Sequence, residues 1–460
     1  MRYRKPSGFA AFTVIWLGQI LSVLGTRMTN FALSIWLWQR TEHATSLALM
    51  TFLTFGATVA LSPLAGSLVD RAGRRVMIII SDVGCAATTA LLLVLFLSGH
   101  VAPWELYVVN TLTGAFLAFQ YPAYSATITQ MMEKGHYARA NAMISLSSSV
   151  PAIFAPTLAA VLLGVFSIKT ILMIDVVSYA LAIGAVFLVA IPERQRSAPG
   201  ADPAADASKD RPSGGVWRDT VLGFRFIAER PGLLGLESIL FSVSLFAAMG
   251  WILLTPMVMA RTGNDQSQIG IVMSAGAIGG VVGGAIVTAI KAPPQKMRWL
   301  LFGILGFSLL GRVLLGVSDS VTLWCVSWFC AWICIPFIDG YGQAIFQQKV
   351  PEALQGRVFA ARQMLENLSM PIAVGVAAPL ADYYLDPRMR PGGSLASTFG
   401  GLVGTGPGAG MALVIVFTGL IGAVVGVVGL CSRTVREVET LIPDYDASDD
   451  AAGQPALSTP

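Results

Sequence analysis

From Thr45 to Val69 the chain carries no charge, and from Val76 to Gly99 it carries only Asp82; between them lie Asp70-Arg71-Ala72-Gly73-Arg74-Arg75. Two apolar stretches long enough to cross a hydrocarbon layer of about 30 Å, joined by so short a turn, form two antiparallel membrane helices. An extended chain in lipid would leave its backbone N–H and C=O groups without partners, at several kcal/mol each. Gly66 and Gly73 permit close packing and a tight reversal. The three arginines put the turn on the cytoplasmic side.

The rest of the chain repeats this pattern. With 55% apolar and 12% charged residues and a mean hydropathy of +0.68, it falls outside the range of soluble domains. Apolar spans are expected at 9–38, 46–69, 76–98, 104–130, 142–166 and 169–191, then at 233–258, 267–290, 298–317, 321–348, 362–385 and 408–431. Twelve spans place both termini in the cytoplasm. Of the thirty Lys and Arg residues, 23 fall in segments on the turn's side and five on the other, with Arg27 and Arg312 inside spans. An asymmetry of this size fixes orientation. The net charge of +4 is spread over short loops and forms no nucleic-acid patch.

The expected fold class is all-α, twelve transmembrane helices in two six-helix bundles. Residues 1–191 make the first bundle, 192–232 a cytoplasmic linker, 233–432 the second bundle and 433–460 a disordered tail. Up to Gly215 the linker is rich in Ala, Pro, Asp, Ser and Lys and reads as disordered. After it, Trp217, Val221, Phe224 and Ile227 recur at helical spacing and predict an amphipathic helix on the membrane surface. The halves align at an offset of 218, with Gly66 on Gly284, Phe119 on Phe337, Gln130 on Gln348 and Arg139 on Arg357, whereas Asp70 falls on Thr288. Residues 386–410, rich in Gly and Pro, predict a mobile loop.

Met1-Arg2-Tyr3-Arg4-Lys5 resembles the start of a signal peptide, but the apolar stretch from Phe9 to about Trp38 is too long and lacks a small-residue cleavage site. It is read as the first membrane helix. The five cysteines lie in or at the ends of spans and make no disulfide framework. His43, His100 and His136 fall in three different loops, so no metal site is expected. The chain has no Gly-rich phosphate loop ending in Lys-Ser/Thr, which leaves an ion gradient as the energy source. No cofactor is called for, the partners are lipid, a small molecule and protons, and a monomer is expected.

The turn has a specific likeness. Gly66, Asp70, Arg71, Gly73, Arg74 and Arg75, set between a second and a third membrane helix, resemble the signature loop of the major facilitator superfamily of secondary transporters. The resemblance implies a gating role: Asp70 would face the N-terminus of the eleventh span, around Phe359 to Arg362, where the helix dipole favours negative charge. Met77-Ile-Ile-Ile-Ser-Asp82 and the run Gln19–Thr41, with Ser22, Gly25, Thr29 and Trp36, look like the macrolide-efflux and enterobactin-exporter type. One departure is in the fifth span, where Pro151 and Pro156 stand but alanines replace the glycines of the drug/proton antiporter motif.

Ionisable groups inside spans are costly and mark function by default. They are Arg27, Asp82, Asp175, Glu237, Arg312, Asp339 and Glu366. Helical projection groups Gln19, Arg27 and Asn30 in span one, Asn110, Gln120, Tyr121 and Tyr124 in span four, Glu237, Phe241 and Trp251 in span seven, and Trp328, Trp332, Asp339 and Gln343 in span ten. The family resemblance implies that these four helices line a central cavity. Its tryptophans suit an amphipathic organic molecule better than a sugar. Asp339, Glu237 and Glu366 are the proton-coupling candidates, since a carboxylate in a low-dielectric site titrates closer to neutrality. Asp82 is expected to pair with the signature loop, and Asp175 with Arg27.

The resulting expectation is a proton-coupled exporter of a drug, macrolide-like compound or siderophore in a bacterial cytoplasmic membrane. An importer of a small metabolite by proton symport would show the same features. An enzyme or lipid-handling protein would need a nucleophile or metal constellation within the bilayer, and the sequence offers none.

Overall fold

The structure is a computed structural model that describes residues 8–72, 74–131, 137–189, 216–290, 293 and 295–443. In the first half, α1 is Gly8–Thr41, α2 Ala44–Ala72, α3 Arg74–Ser98, α4 Pro103–Met131, α5 Tyr137–Val165 and α6 Ile168–Leu188. After the surface helix α7, Val216–Ala228, come α8 at Pro231–Arg261 and α9 at Gln266–Ala289. The tenth helix, α10, runs from Lys296 to Val317 through a π-helical stretch, Phe307–Val313. Next are α11, Val321–Lys349, and α12, Glu352–Pro379 extended by a second π-helical stretch, Leu380–Leu385, to Met389. The last long helix, α13, is Ala409–Cys431.

Ten helices among the described residues are long and apolar enough to cross a membrane. α5 adds the apolar stretch Ser149–Val165. Together the helices form an all-helical membrane fold of two pseudo-symmetric six-helix bundles. α1 packs on α5 and α6, and α3 on α4 and α6; likewise α8 packs on α12 and α13, and α10 on α11 and α13. The halves meet mainly where α5 packs on α9 and α2 on α12, with a smaller contact between α2 and α8. Leu97, Val161, Phe302 and Val424 are among the large apolar side chains left exposed on the outside of the bundles. Water would not tolerate a surface of this kind, and lipid tails match it.

The end of the molecule carrying the signature turn is called the turn end, and the opposite one the far end. At the turn end, α7 packs against α12 and α8. Phe226 and Ile227 are buried there, while Val221 and Leu222 remain exposed. At the far end, residues 386–410 form a folded cap rather than the expected mobile loop. The short helix Ala396–Val403 sits in it; Arg261 donates to Asp319 Oδ1 at 2.6 Å and to the Val403 carbonyl, and Gly410 N donates to Asp386 Oδ1 at 3.2 Å. Composition indicated freedom here, but the largely covered side chain of Arg261 and a buried Met389 pin the segment. Asp265 caps α9, and hydrogen bonds from Ser267 and Gln268 hold its carboxyl below the usual range.

Candidate functional site

Between the halves lies a cavity of about 820 Å³. α1 contributes Arg27, Asn30 and Ser34, and α4 contributes Asn110. From the other half come Trp251 of α8 and Trp328 and Trp332 of α11. The three indole rings touch: Trp251 stacks on Trp328 at 5.7 Å between centroids and meets Trp332 edge-on at 5.9 Å. Helical spacing of 328 and 332 puts those two rings on one face of α11, and α8 supplies the third. Spans one, four, seven and ten do reach this cavity, but α2, α5 and α9 line it as well, with Thr51, Pro151 and Met273 among their residues.

Several expected cavity residues lie elsewhere. Gln19 and Gln120 turn into the first bundle, where both amides donate to Asp82 at 2.8 Å. Phe241 does not line the cavity, and Gln343 belongs to a second one. The side chains of Tyr121 and Tyr124 lie outside the described residues. So do Gly73 and the side chains of Asp70, Arg71 and Arg74, together with whatever surrounds Gly66. The expected contact between Asp70 and the eleventh span therefore lies outside what is described.

Among the described residues neither of the expected ion pairs in the first half forms, and for Asp82 this concerns Arg75 alone, the side chains of Arg71 and Arg74 lying outside them. Asp82 follows Arg75 by two helical turns, about 10 Å along the axis. Arg75 instead reaches the Val186 carbonyl at 3.3 Å and lies over the Phe187 ring. Asp175 is fully buried and accepts hydroxyl hydrogen bonds from Thr29 at 2.9 Å, Thr89 at 3.2 Å and Thr26 at 3.3 Å. Arg27 stands about 100° around α1 from Thr26 and so points away into the cavity. Gly25 makes the approach of α6 possible, because a Cβ there would lie 2.7 Å from Asp175 Oδ1.

The second half has a charged centre in a cavity of about 520 Å³. Arg362 of α12 donates from Nε to Glu237 at 2.9 Å and from Nη1 to Gln343 at 2.9 Å. Its Nη2 is 3.6 Å from Glu366, and its guanidinium lies over the Phe346 ring at 4.1 Å. Asp339 lines the same cavity. Arg362 was missed in the sequence as an intramembrane group because the apolar window there begins only at 362, whereas α12 starts at Glu352. A Glu in span seven at the depth of this arginine was the available signal.

Arg312 is the other unforeseen arrangement. Its side chain is buried, donates from Nη2 to the Ala247 carbonyl at 2.5 Å, and lies 5.6 Å from the Trp328 centroid. Nε and Nη1 have no hydrogen-bond partner, and no acidic group pairs with it among the described residues. Gly250 makes the room: a Cβ there would fall 1.6 Å from Nη1.

The comparisons with known proteins agree with this geometry. The family model described as Major Facilitator Superfamily matches residues 15–374. Macrolide efflux protein A of Streptococcus pyogenes is 25% identical over 374 residues, 81% of this chain and 89% of the relative. The enterobactin exporter EntS of Escherichia coli O1:K1 / APEC is 21% identical over 352 residues, 76% of this chain and 80% of the relative. Among solved structures, a bacterial homologue of the human lysosomal transporter Spinster, inward-facing and unoccupied, superposes with a TM-score of 0.65 at 14% identity, covering 95% of this chain and 98% of that one. The nucleoside transporter NupG gives 0.64 at 12% identity, covering 92% and 98%. An all-helical fold in two six-helix halves, a cavity between them and a family match over most of the length lead to one assignment: the chain is a membrane transporter, not an enzyme, and belongs to the Major Facilitator Superfamily.

Proposed function

We propose that the protein is a proton-coupled exporter of an amphipathic small molecule, working by alternating access in a bacterial cytoplasmic membrane with both termini and the signature turn on the cytoplasmic side. The observation that carries the substrate class is the tryptophan-walled cavity of about 820 Å³, a volume suited to a drug-sized molecule. The indoles of Trp251 and Trp332, backed by the buried Trp328, supply apolar area, while the exposed Arg27 and Asn30 supply a few polar contacts. Relatives named for macrolide efflux and enterobactin export support the outward direction. In this reading the first copy of the turn, through Asp70, gates the cytoplasmic side.

Coupling is assigned to Asp339 and Glu366. Glu237 is held by Arg362 in a buried ion pair, so it serves as the fixed counter-charge. Asp339 and Glu366 share that cavity with a single described cation, Arg362. Taking up or losing one proton there alters the hold on Arg362 and thereby the contacts among α8, α11 and α12. The test is flux of candidate macrolides and siderophores into inverted vesicles under an imposed pH gradient. Asp339→Asn should lower gradient-driven flux at least tenfold and leave downhill exchange intact. Intact proton-driven transport in both Asp339→Asn and Glu366→Gln would remove the coupling assignment. No gradient-dependent flux for any compound would remove the exporter reading.

A further inference from the structure

α1 and α2 are joined by only Glu42 and His43, and Glu42 takes a positive φ of 51°. The first N–H groups of any helix lack partners within it. A turn of two residues leaves little local chain to satisfy them. The partner comes from the other half of the molecule. Asp382, in the π-helical stretch of α12, accepts from Ala44 N at 3.1 Å through Oδ1. Through Oδ2 it accepts from Thr45 N at 2.7 Å and from Thr45 Oγ1 at 2.7 Å. A carboxylate bonded to free N–H groups at the positive end of a helix dipole is a strong, charge-assisted contact.

Every other hydrogen bond between the halves, among the described residues, is neutral. Trp38 Nε1 donates to Asn264 Oδ1 at 2.8 Å, Thr157 and Ser274 share a hydroxyl contact, and Ser274 donates to the Ile153 carbonyl at 2.9 Å. All of them lie in the half of the molecule toward the far end. The π-helical turn widens α12 where it passes α2, following Pro379. α2 and α12 run antiparallel, and the same α2 carries Asp70 in its last turn, at the opposite end.

We infer that Asp382 is the far-end latch of the transport cycle: its bonds to the N-terminus of α2 hold the two halves together at the end opposite the signature turn and are broken when that end opens. The latch makes the closed far end the favoured state until another contact offsets it. It explains why an acidic residue stands in a lipid-crossing helix with no basic partner among the described residues. Tyr383 beside it lies 5.9 Å from the His43 ring and covers the same junction. The inference rests on alternating access and on neither the proton nor the substrate.

The experiment is a distance measurement that needs no transport. In a chain freed of its five native cysteines, Ser98→Cys and Ser397→Cys, both exposed at the far end, carry spin labels. The distance distribution is recorded in lipid nanodiscs without substrate. The native latch should give mainly the short separation. Asp382→Ala should raise the ratio of long to short separations about tenfold, and Asp382→Asn, which keeps shape but loses charge and one acceptor, by a smaller factor in the same direction. Thr45→Val, which removes one of the three donors, should move it less again. Glu105→Gln removes a charge at the same end that bonds only Ala102 N within the first half, and should leave the ratio unchanged. Should Asp382→Ala fail to fold, Asp382→Asn and Thr45→Val decide. A folded Asp382→Asn with the native distribution would overturn the latch, whatever vesicle transport shows.

Discussion

The two halves share a fold but hold their buried carboxylates in different ways. In the first half, Asp82 and Asp175 are fully buried and, among the described residues, are held by neutral groups, two amides for one and three hydroxyls for the other. In the second, Glu237 and Glu366 gather around Arg362 in a cavity that also holds Asp339. Neutral donors fix a carboxylate in place and tie α1 to α3, α4 and α6. A cation shared among several carboxylates can change partners at small cost. The first half's buried carboxylates are thus fixed by neutral donors, and it is the second half to which the proposed coupling assigns the groups that respond to a proton.

The largest expected effect tests the shared cation. Arg362→Ala strands Glu237 in a site where its side chain is almost wholly buried, and breaking a buried pair costs about 3–5 kcal/mol. The purified protein should lose its thermal transition by a correspondingly large margin, and Glu237→Gln added to the same chain should return more than half of the loss. If Arg362→Ala melts with the native protein, the second half is not organised around that arginine. A smaller effect is expected at Gly250. Alanine there collides with Arg312 Nη1 and forces the guanidinium aside, at about 1–3 kcal/mol for an overpacked site. Arg312→Met in the Gly250→Ala chain should relieve most of that penalty, because a flexible apolar chain fills the space without an unpaired charge. A penalty that persists would mean that α8 needs the glycine for another reason.

Helix positions were legible because lipid demands long apolar runs with every backbone group paired inside its own segment. Partners were not. Asp175 is bonded by Thr26, Thr29 and Thr89, hydroxyls 86 to 149 residues away whose sequence pattern is that of ordinary helix-surface residues. Arg27 looked like the mate of Asp175 by depth, yet rotation about α1 turns it away. Arg362 was hidden by a helix that begins ten residues before its apolar stretch. Asp382 was hidden more thoroughly, since its partners are backbone N–H groups that any sequence would provide. Spacing put Trp328 and Trp332 on one helix face, the family resemblance brought Trp251 to the same cavity, and the three rings do meet. Depth and spacing can be read along one helix; pairing needs the rotation of two.

The smallest expected effect bears on the first half. Asp82→Asn keeps the side chain's shape and removes only its charge. Gln19 Oε1 already accepts a longer contact from Gln120 Nε2 at 3.4 Å, so the two amides form a ring with Asp82 in which one glutamine can flip and present its carbonyl to the new amide. One neutral hydrogen bond then replaces one to a charge, at about 1 kcal/mol or less. The melting temperature should fall slightly, and proton-driven flux in inverted vesicles should stay within about twofold of the native protein with the same pH profile. Loss of gradient-driven flux in a folded Asp82→Asn protein, with downhill exchange retained, would mean that the titrating carboxylate belongs to the first half. The contrast between the halves would then run the other way: the amides of Gln19 and Gln120 would be the partners a proton displaces, and Arg362 a static brace.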